Sequence, residues 1–325
     1  MSTGTDQGGF RRGTVRRILA WALLLLSLLP MAAAARPLRL GLLPTQTALA
    51  FLVADRNGCF QEAGVEVELL YFNSGQERDT AVLTGNIDAF HAGWANGVIL
   101  WQGGAKIAGV ALTAARPTEF VFALMVPPRS AAKSAGDLEG ATVAISLNTV
   151  EYVADRLLQR AGVKNYRKLD VPQMPLRLQM LQAGQIQAGV FVEPFATLAE
   201  KMGARRLVDT SALPYGVQDV LFFRVDTLDR RPEEVRAFLR AFARAVAEVR
   251  NNPAGFNQLM VDRLQLPEAL KVSYRIIPLE RPVAPQSKGQ LEDTLRWMRE
   301  NGLLKAAVEA QDLIRPEFLE AALKE

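Results

Sequence analysis

Short apolar runs alternate with helix-like stretches through the first two thirds of the chain. Leu38–Leu42 precedes a helical pattern over 47–62, and an apolar run over 65–70 precedes a second helical pattern that ends near Gly85. Such alternation predicts βα units on a parallel sheet. The last third reads as helical. An amphipathic helix is predicted from Pro232 to about Arg250, and further helices are predicted near Pro253, Pro285 and Pro316.

The chain also repeats itself. Val-Ala-Asp-Arg at 53–56 recurs at 153–156, and Ala-Gly-Val at 63–65 recurs at 161–163. Further on, Val-x-x-Gly-x-Ile-x-Ala at 82–89 matches Leu-x-x-Gly-x-Ile-x-Ala at 181–188. Because the order is kept, these matches predict two similar α/β lobes with a glycine at each helix end. The alternative explanation is that the matches reflect sequence patterns common to all βα units, without common ancestry of the two halves.

Two extended segments, 120–126 and 220–225, flank the second copy of the repeat. If the chain leaves the first lobe along one and returns along the other, the two strands form a double hinge. The predicted organisation is a signal peptide over 1–35, the first part of lobe 1 over 36–123, lobe 2 over 124–220, and the second part of lobe 1 with C-terminal helices over 221–325.

The N-terminal segment has the charged, apolar and small-residue order of a secretory signal. Four arginines precede an apolar stretch over 18–29, and an alanine run at 32–35 supplies an A-x-A cleavage site. The apolar stretch over 18–29 is shorter than the run of about 20 apolar residues that a membrane-spanning helix needs. Cleavage and a periplasmic location are therefore predicted, with a retained N-terminal anchor as the alternative. The pattern leaves the Sec and Tat export routes open.

Charge and cysteine content exclude several classes of function. Removal of 1–35 takes away four arginines and Asp6, so 38 basic and 34 acidic groups become 34 and 33. A nearly neutral chain without a basic, aromatic-rich cluster does not predict nucleic-acid binding. Cys59 is the only cysteine, which excludes an internal disulfide and a cysteine-based metal site. No catalytic or cofactor motif is present, so neither an enzyme nor a cofactor is expected.

Several phrases together resemble a known family, the substrate-binding proteins of nitrate, sulfonate and taurine ABC importers and their thiamine-precursor-binding (NMT1-like, SsuA-like) relatives. The resemblance rests on the order of Leu-Gly-Leu at 40–42, Asn-Gly-Cys-Phe-Gln-Glu-Ala-Gly-Val at 57–65, Ser-Gly at 74–75, Leu-Thr-Gly-Asn-Ile-Asp-Ala at 83–89, Asp-Leu-Glu-Gly-Ala-Thr-Val at 137–143 and Val-Glu-Pro-Phe at 192–195. It spans nearly all of the chain after residue 35.

This resemblance implies a type II periplasmic binding protein fold, with two α/β lobes joined by a two-strand hinge. It also implies capture of a small organic solute between the lobes by hinge closure. The expected solutes are a sulfonate, an aromatic compound or an amino-substituted heterocycle. The implied partners are that ligand and an ABC permease with its cytoplasmic ATPase, and the protein is expected to be a monomer. Two alternatives remain: a periplasmic ligand sensor, and an enzyme of the pyrimidine or menaquinone type with His91 and Glu193 as base and acid.

Ligands of open α/β sheets bind outside the carboxyl ends of the strands, where loops lead into helix N-termini. Hydroxyls, amides and free backbone N–H groups at such positions suit a sulfonate, nitrate or carboxylate. The same side chains are also good helix caps, so capping alone is an alternative explanation for several of them. The residues selected by this rule are Thr45, Gln46, Ser74, His91, Trp94, Asn148, Thr149 and Glu193.

Two of these residues bear on the chemistry of the solute. The Trp94 indole offers a flat face to an aromatic or cationic solute, although a core position is the alternative. The Glu193 carboxylate favours an amine or an amidine-like ring, whereas with a purely anionic solute it would cap its helix or bind a partner in the other lobe. Together they favour an organic solute over a bare inorganic anion.

Overall fold

The computed structural model describes residue 1 and residues 36–114, 119–147, 149–214, 218–270, 274–305 and 307–324. The chain divides into two units, Met1–Arg36 and Pro37–Glu325, and the second contains both sheets. The predicted signal peptide, apart from Met1, lies outside the described residues. Within the described ranges, no helix is both long and apolar enough to cross a membrane.

The first sheet has the strand order β2-β1-β3-β10-β4. Its strands are β1 (Leu38–Leu42), β2 (Val67–Tyr71), β3 (Ala89–Ala92), β4 (Ile107–Ala114) and β10 (Gln218–Arg224). Strand β1 pairs in parallel with β2 and β3, whereas β10 runs antiparallel between β3 and β4. All of β3 and most of β1 are buried, as expected for parallel strands covered on both faces.

The second sheet repeats this topology in the order β7-β6-β8-β5-β9. Its strands are β5 (Phe122–Val126), β6 (Thr142–Ile145), β7 (Arg167–Asp170), β8 (Ala188–Val192) and β9 (Arg205–Asp209). Strand β5 runs antiparallel between β8 and β9, in the place that β10 occupies in the first sheet. The two α/β lobes expected from the sequence repeat are thus confirmed. We call the first sheet and its helices lobe 1, and the second sheet and its helices lobe 2.

Helices follow the strands in both lobes. The described helices are α1 (Leu49–Arg56), α2 (Cys59–Glu62), α3 (Gly75–Leu83), α4 (Trp94–Gln102), α5 (Thr149–Arg160), α6 (Met174–Gln182), α7 (Phe195–Lys201), α8 (Val225–Arg230), α9 (Pro232–Asn251), α10 (Asn257–Arg263), α11 (Gln290–Glu300) and α12 (Glu317–Ala322). The helical pattern over 47–62 is divided into α1 and α2 at Gly58, whose φ is 73°. The helix expected near Pro285 begins at Gln290.

The glycines that end α3 and α6 adopt the left-handed conformation that the repeat predicted. Gly85 has φ 72° and Gly184 has φ 69°. Neither value suits a residue with a Cβ, so glycine at both positions lets the helix stop and turn into β3 or β8. The phrase Gly-x-Ile-x-Ala therefore marks the same helix-to-strand turn in each lobe.

The chain crosses between the lobes at slightly different places from those predicted. Strand β5 spans the predicted boundary at 123/124, and β10 spans the one at 220/221. Both extended segments are full strands inside a sheet, so the crossings fall between β4 and β5 and between β9 and β10. The pattern of apolar residues identified the strands, but it could not show which sheet each one joins. Residues 115–118 and 215–217 of these crossings lie outside the described part.

Helix α9 closes the core of lobe 1. It begins and ends within one residue of the prediction, and its predicted apolar face is buried. Phe242 stacks on Phe51 of α1 with ring centroids 4.6 Å apart, and Phe238 packs against Phe60 of α2 at 5.1 Å. Aromatic pairs at these separations stabilise beyond simple area burial. Helix α9 therefore joins the helices and strands of lobe 1 into one core, although these segments lie far apart in the sequence.

Candidate functional site

A cavity of about 120 Å³ lies where the carboxyl ends of the parallel strands of both lobes meet. Loops after β1, β2 and β3 line it from lobe 1, and loops after β6 and β7 together with Val192 at the end of β8 line it from lobe 2. The antiparallel strands add the residues at their amino ends, Asp219 from β10 and Phe122 from β5. The cavity thus occupies the position that the strand topology of open α/β sheets favours for a ligand.

The two walls of this cavity differ in character. Lobe 1 supplies mainly polar groups, namely Thr45, Thr47, Asn73, Ser74, Arg78, His91, Asn96, Thr113 and Asp219. Lobe 2 supplies mainly apolar groups, namely Val121, Phe122, Val150, Pro172, Met174 and Val192, beside the hydroxyls of Ser146 and Thr149. A solute in this cavity therefore has a polar wall on one side and an apolar wall on the other.

An acid–histidine pair lies in the lobe 1 wall, with His91 buried and Asp219 partly exposed. His91 Nδ1 lies 2.8 Å from Asp219 Oδ2, and the Thr47 hydroxyl lies 3.3 Å from the same nitrogen. Burial alone would raise the pKa of Asp219, but the charge and hydrogen bond of His91 and the Thr47 hydroxyl hold it below its usual range. Asp219 is therefore ionised and hydrogen-bonded within the protein. His91 Nε2 is buried and finds no hydrogen-bond partner among the described residues.

Arg78 of α3 also lines the cavity, although the residue is only 2% exposed. Its Nη1 donates to the His91 carbonyl at 2.8 Å, and its Nη2 donates to Asp79 Oδ1 at 2.6 Å. The guanidinium carbon lies 5.0 Å from the centre of the Phe90 ring, which gives a cation–π contact. The guanidinium is thus fixed by groups of lobe 1 alone.

Direct contacts join the lobes around the cavity. The Thr149 hydroxyl of lobe 2 donates to Asn96 Oδ1 of lobe 1 at 3.3 Å, and the Gln46 N–H donates to the Glu193 carbonyl at 3.1 Å. A Cβ added to Gly93 would come within 2.4 Å of Thr149 Cγ2. Because the backbone of one lobe touches a side chain of the other at this point, only glycine fits at position 93 in this arrangement.

Four of the residues selected from the sequence line the cavity, namely Thr45, Ser74, His91 and Thr149. Ser74 also caps α3, since its Oγ accepts from the Glu77 N–H at 3.3 Å. A capping role and a place in the cavity wall therefore coexist in one side chain. Asn148 lies outside the described residues.

Gln46 is placed beside the cavity and does not line it. Its Nε2 donates to the Ile277 carbonyl at 2.7 Å, and its Oε1 accepts from the Ile277 N–H at 2.7 Å and from the Tyr274 hydroxyl at 2.5 Å. The buried amide is thus used to fasten the segment around 274–277. Only the Gln46 backbone reaches the other lobe.

Glu193 follows β8 as expected, but its side chain turns away from the cavity and is 1% exposed. Its Oε1 accepts from the Thr197 hydroxyl at 3.0 Å, and its Oε2 accepts from the Thr197 N–H at 3.4 Å. Burial raises the pKa of Glu193 to about 7, partly offset by the Thr197 hydrogen bonds. The capping alternative describes this carboxylate better than contact with an amine does.

Trp94 is the third selected residue that does not line the cavity. It begins α4, and its indole meets Phe222 edge-on with ring centroids 5.7 Å apart. The ring also lies against Gly109 of β4, where a Cβ would come within 3.3 Å of the indole. The core alternative therefore describes Trp94. A residue at the first position of a helix points inward or toward the cavity according to the helix direction, which the sequence does not show.

Arg78 and Asp219 are wall residues that sequence reasoning missed. Arg78 lies in the polar stretch Gly-Gln-Glu-Arg-Asp-Thr, which resembles a solvated helix face. Asp219 was not selected because the carboxyl-end rule applies to parallel strands, whereas the antiparallel strand β10 brings its amino end to the cavity. The one usable signal was the spacing of Arg78 and Arg177, which equals that of Gly85 and Gly184 in the repeat.

The described residues contain no group of three or more histidine, cysteine, aspartate or glutamate side chains that could hold a metal ion. Cys59 lies in α2, outside the cavity wall, with its sulfur 3.8 Å from Glu248 Oε1. Burial and the Glu248 charge raise the pKa of this thiol, so it is a poor nucleophile.

Solved structures with the same fold are numerous. The alkanesulfonate-binding protein SsuA from Xanthomonas axonopodis pv. citri, bound to MOPS, superposes with a TM-score of 0.75 at 19% identity, over 87% of this chain and 100% of that chain. The periplasmic nitrate-binding protein NrtA from Synechocystis PCC 6803 gives a TM-score of 0.72 at 15% identity, over 90% and 89%. DszB in complex with biphenyl-2-sulfinic acid gives 0.64 at 16% identity, over 89% and 99%.

These similarities establish the two-lobed fold of periplasmic binding proteins for this chain. No curated protein matches the sequence. The sequence profile of the NMT1-like family matches residues 31–262, which include both sheets and the whole cavity wall up to Asp219. The chain belongs to the NMT1-like family.

Proposed function

We propose that this protein is the periplasmic solute-binding component of an ABC importer and that it holds a small organic solute in the cavity between its lobes. The observation that carries the proposal is the shared lining of the cavity by the strand-end loops of both lobes. A solute that contacts both walls stabilises the closed arrangement over an open one. Closure of two lobes around a hinge is the transition expected of such an architecture.

The contacts between the lobes support this mode of action. The Gly93–Thr149 contact, the Thr149–Asn96 hydrogen bond and the Gln46–Glu193 hydrogen bond all require the two walls to lie against each other. Each of these hydrogen bonds is weak, since a neutral hydrogen bond contributes about 0.5–1.5 kcal/mol. Away from the cavity, Arg156 of α5 forms an ion pair with Asp293 of α11 at 3.1 Å, and the Trp297 indole of α11 donates to Asp155 of α5 at 2.8 Å. The contacts at the cavity itself are therefore weak enough for a bound solute to outweigh.

The residues that line the cavity narrow the range of candidate solutes. Glu193 and Trp94, which favoured an amino-substituted heterocycle, do not line the cavity, so nothing in the described cavity wall now supports a heterocycle of that kind. A sulfonate or an aromatic compound remains compatible, because lobe 1 offers hydroxyl, amide and guanidinium donors and lobe 2 offers an apolar wall. SsuA and NrtA, named as alkanesulfonate- and nitrate-binding proteins, share this fold.

Export and the importer partners belong to the same proposal. SsuA from Escherichia coli and NrtA are named as periplasmic binding proteins, and a Staphylococcus aureus relative is named as the ligand-binding component of an ABC-type import system. With the signal-like order of residues 1–35, these relatives support cleavage, a periplasmic location and delivery to a membrane permease.

An enzyme on the same fold is the rival function, supported by the His91–Asp219 pair in the cavity and by the similarity to DszB. An acid–base pair of His91 and Glu193 would require both side chains in one site, yet Glu193 turns away from the cavity. His91 uses Nδ1 for Asp219, and its Nε2 is buried without a hydrogen-bond partner among the described residues. Solute binding therefore accounts for the site better.

Native mass spectrometry of protein purified from a periplasmic fraction tests the proposal. We expect a bound mass of a small organic compound that is released on denaturation and restores the original intrinsic fluorescence when added back. Conversion of that compound into a product during incubation would favour the enzyme.

A further inference from the structure

The Arg78 guanidinium has N–H groups that the described residues do not use. Its Nε and Nη2 both donate to Asp79 Oδ1, at 3.0 and 2.6 Å, and its Nη1 donates to the His91 carbonyl at 2.8 Å. A guanidinium carries five N–H groups. Within the described part of the chain, one N–H on each terminal nitrogen is left without a partner, in a side chain that lines the cavity.

The guanidinium is also held in a fixed orientation. Phe90 lies against one face, and Asp79 is itself fixed by Asn96, whose Nδ2 donates to Asp79 Oδ2 at 2.9 Å. Thr149 of lobe 2 donates to Asn96 at 3.3 Å. A hydrogen-bonded chain therefore runs from lobe 2 through Asn96 and Asp79 to Arg78, so closure of the lobes and the position of the guanidinium are coupled.

The donors and helix ends around the guanidinium suit a negative charge. Asp79 offsets the charge of Arg78, and the Asp219 carboxylate is already hydrogen-bonded to His91 Nδ1. The first turns of α3, α4 and α5 open onto the cavity and add the positive ends of three helix dipoles. The opposite wall is apolar, and the volume of about 120 Å³ is near the roughly 150 Å³ of an apolar cavity that accommodates benzene.

We propose that Arg78 binds the carboxylate of a small organic acid whose apolar body lies against lobe 2, and that Asp79, Asn96 and Thr149 are positioning residues for the guanidinium. This inference rests on the proposed solute-binding function. Two coplanar oxygens match two N–H groups on the terminal nitrogens of an arginine, a pairing that Lys cannot reproduce. Arg78 would then determine which headgroup is accepted, and lobe 2 would determine the size of the body.

Arg177 of α6 is the matched control. It occupies the equivalent place in lobe 2 and is fully buried, and its Nη1 donates to the Val190 carbonyl at 2.5 Å, as Arg78 does to that of His91. Arg177 does not line the cavity. Replacing it by Lys therefore perturbs a buried arginine without touching the proposed headgroup site.

Calorimetric titration of the exported protein with benzoate, benzamide and benzenesulfonate, and with butyrate and butyramide, tests the inference. We expect each carboxylate to bind at least about tenfold tighter than its amide, and benzoate to bind tighter than benzenesulfonate. Arg78→Gln should bring the acid-to-amide ratio close to one, and Arg78→Lys should lower it. Arg177→Lys should leave it unchanged. Thr149→Val should reduce the ratio several-fold, a readout that lost stability alone does not move.

The ligand comparison on the unmodified protein needs no variant, so a failure of Arg78→Gln to fold leaves the test intact. Equal binding of acids and amides, tighter binding of benzenesulfonate, or binding of none of the carboxylates would overturn the inference. Capture of a neutral or cationic solute by the same cavity would overturn it while leaving the solute-binding function in place. Absence of any small-molecule binding would remove both.

Discussion

The two lobes share one strand topology, but their cavity walls differ in chemistry, mainly polar in lobe 1 and mainly apolar in lobe 2. Strand pairing makes Asp219 of β10 equivalent to Phe122 of β5, and the repeat makes His91 equivalent to Val190. Gly93 likewise corresponds to Val192. Lobe 1 thus carries charge and hydrogen-bonding groups where lobe 2 carries apolar side chains. The shared positions build the sheets, and the differing positions at the strand ends decide what each lobe can bind.

The two buried arginines show the same division within one residue type. Arg78 and Arg177 each donate to a carbonyl of the strand that follows, and each connects a helix to its sheet. Arg177 also donates to the Val171 carbonyl at 2.7 Å and has no carboxylate bound, so burial lowers its pKa to about 9. Arg78 has Asp79 beside it and the cavity in front. One arginine is structural, and the other is structural and available to a ligand.

Replacing the structural arginine should have the largest effect on stability. Arg177→Met leaves the carbonyls of Val171 and Val190 without their donors, and we expect a loss of about 3 kcal/mol in the free energy of unfolding. Solute affinity should stay within about threefold, because Arg177 does not line the cavity. Urea unfolding and titration of the same preparations check both parts. A loss of solute affinity without a loss of stability would contradict the division of roles.

Glu193 should make stability depend on pH. Its folded pKa of about 7 lies above the roughly 4.3 of an exposed glutamate, so its stabilising contribution is present at low pH and is lost as the pH rises through 7. Relative to Glu193→Gln, the parent protein should lose about 2.5 kcal/mol of unfolding free energy between pH 5 and pH 8. Urea unfolding at both pH values measures the difference. Parallel pH profiles for the two proteins would show that Glu193 is not buried in this way.

Gly93 tests the contact between the lobes. A Cβ at this position would meet Thr149 at 2.4 Å, so Gly93→Ala should disfavour the closed arrangement by about 2 kcal/mol and weaken solute binding about thirtyfold. Thermal unfolding of the ligand-free protein should change little, because each lobe remains intact. Adding Thr149→Ala to Gly93→Ala should restore most of the affinity. Unchanged affinity of the single variant would show that the lobes close differently.

Trp94→Phe should have the smallest effect. The indole packs on Phe222 and lies outside the cavity wall, so we expect a loss of about 1 kcal/mol in unfolding free energy and solute affinity within twofold. Calorimetric titration and chemical unfolding separate the two quantities. A large loss of affinity at unchanged stability would return Trp94 to the list of ligand contacts.

The architecture was largely predictable from the sequence because its signals are local. The apolar runs, the two Gly-x-Ile-x-Ala turns and the apolar face of 232–250 each depend on a few neighbouring residues, and all correspond to elements of the structure. The sheet to which β5 and β10 belong was not predictable in this way. Each pairs with strands distant in sequence, and an extended pattern does not identify its partners.

The site was predictable in position and only partly in composition. Thr45, Ser74, His91 and Thr149, which the strand-end rule selected, line the cavity because backbone direction fixes where those loops lie, and their contact with a solute stays a prediction. The direction of the Trp94 side chain depends on packing against Phe222, which is remote in sequence. Arg78 was missed because the local sequence around an arginine does not show whether its guanidinium is buried or solvated.

The central claim is that a solute is held between closed lobes, and the most direct measurement is native mass spectrometry of the parent protein and of Gly93→Val purified side by side from the periplasm. Valine at position 93 would overlap Thr149 and keep the lobes apart. The account predicts a bound small organic compound on the parent protein and none on the variant, with both proteins folded. The same compound retained on both proteins, or absent from both, would contradict it.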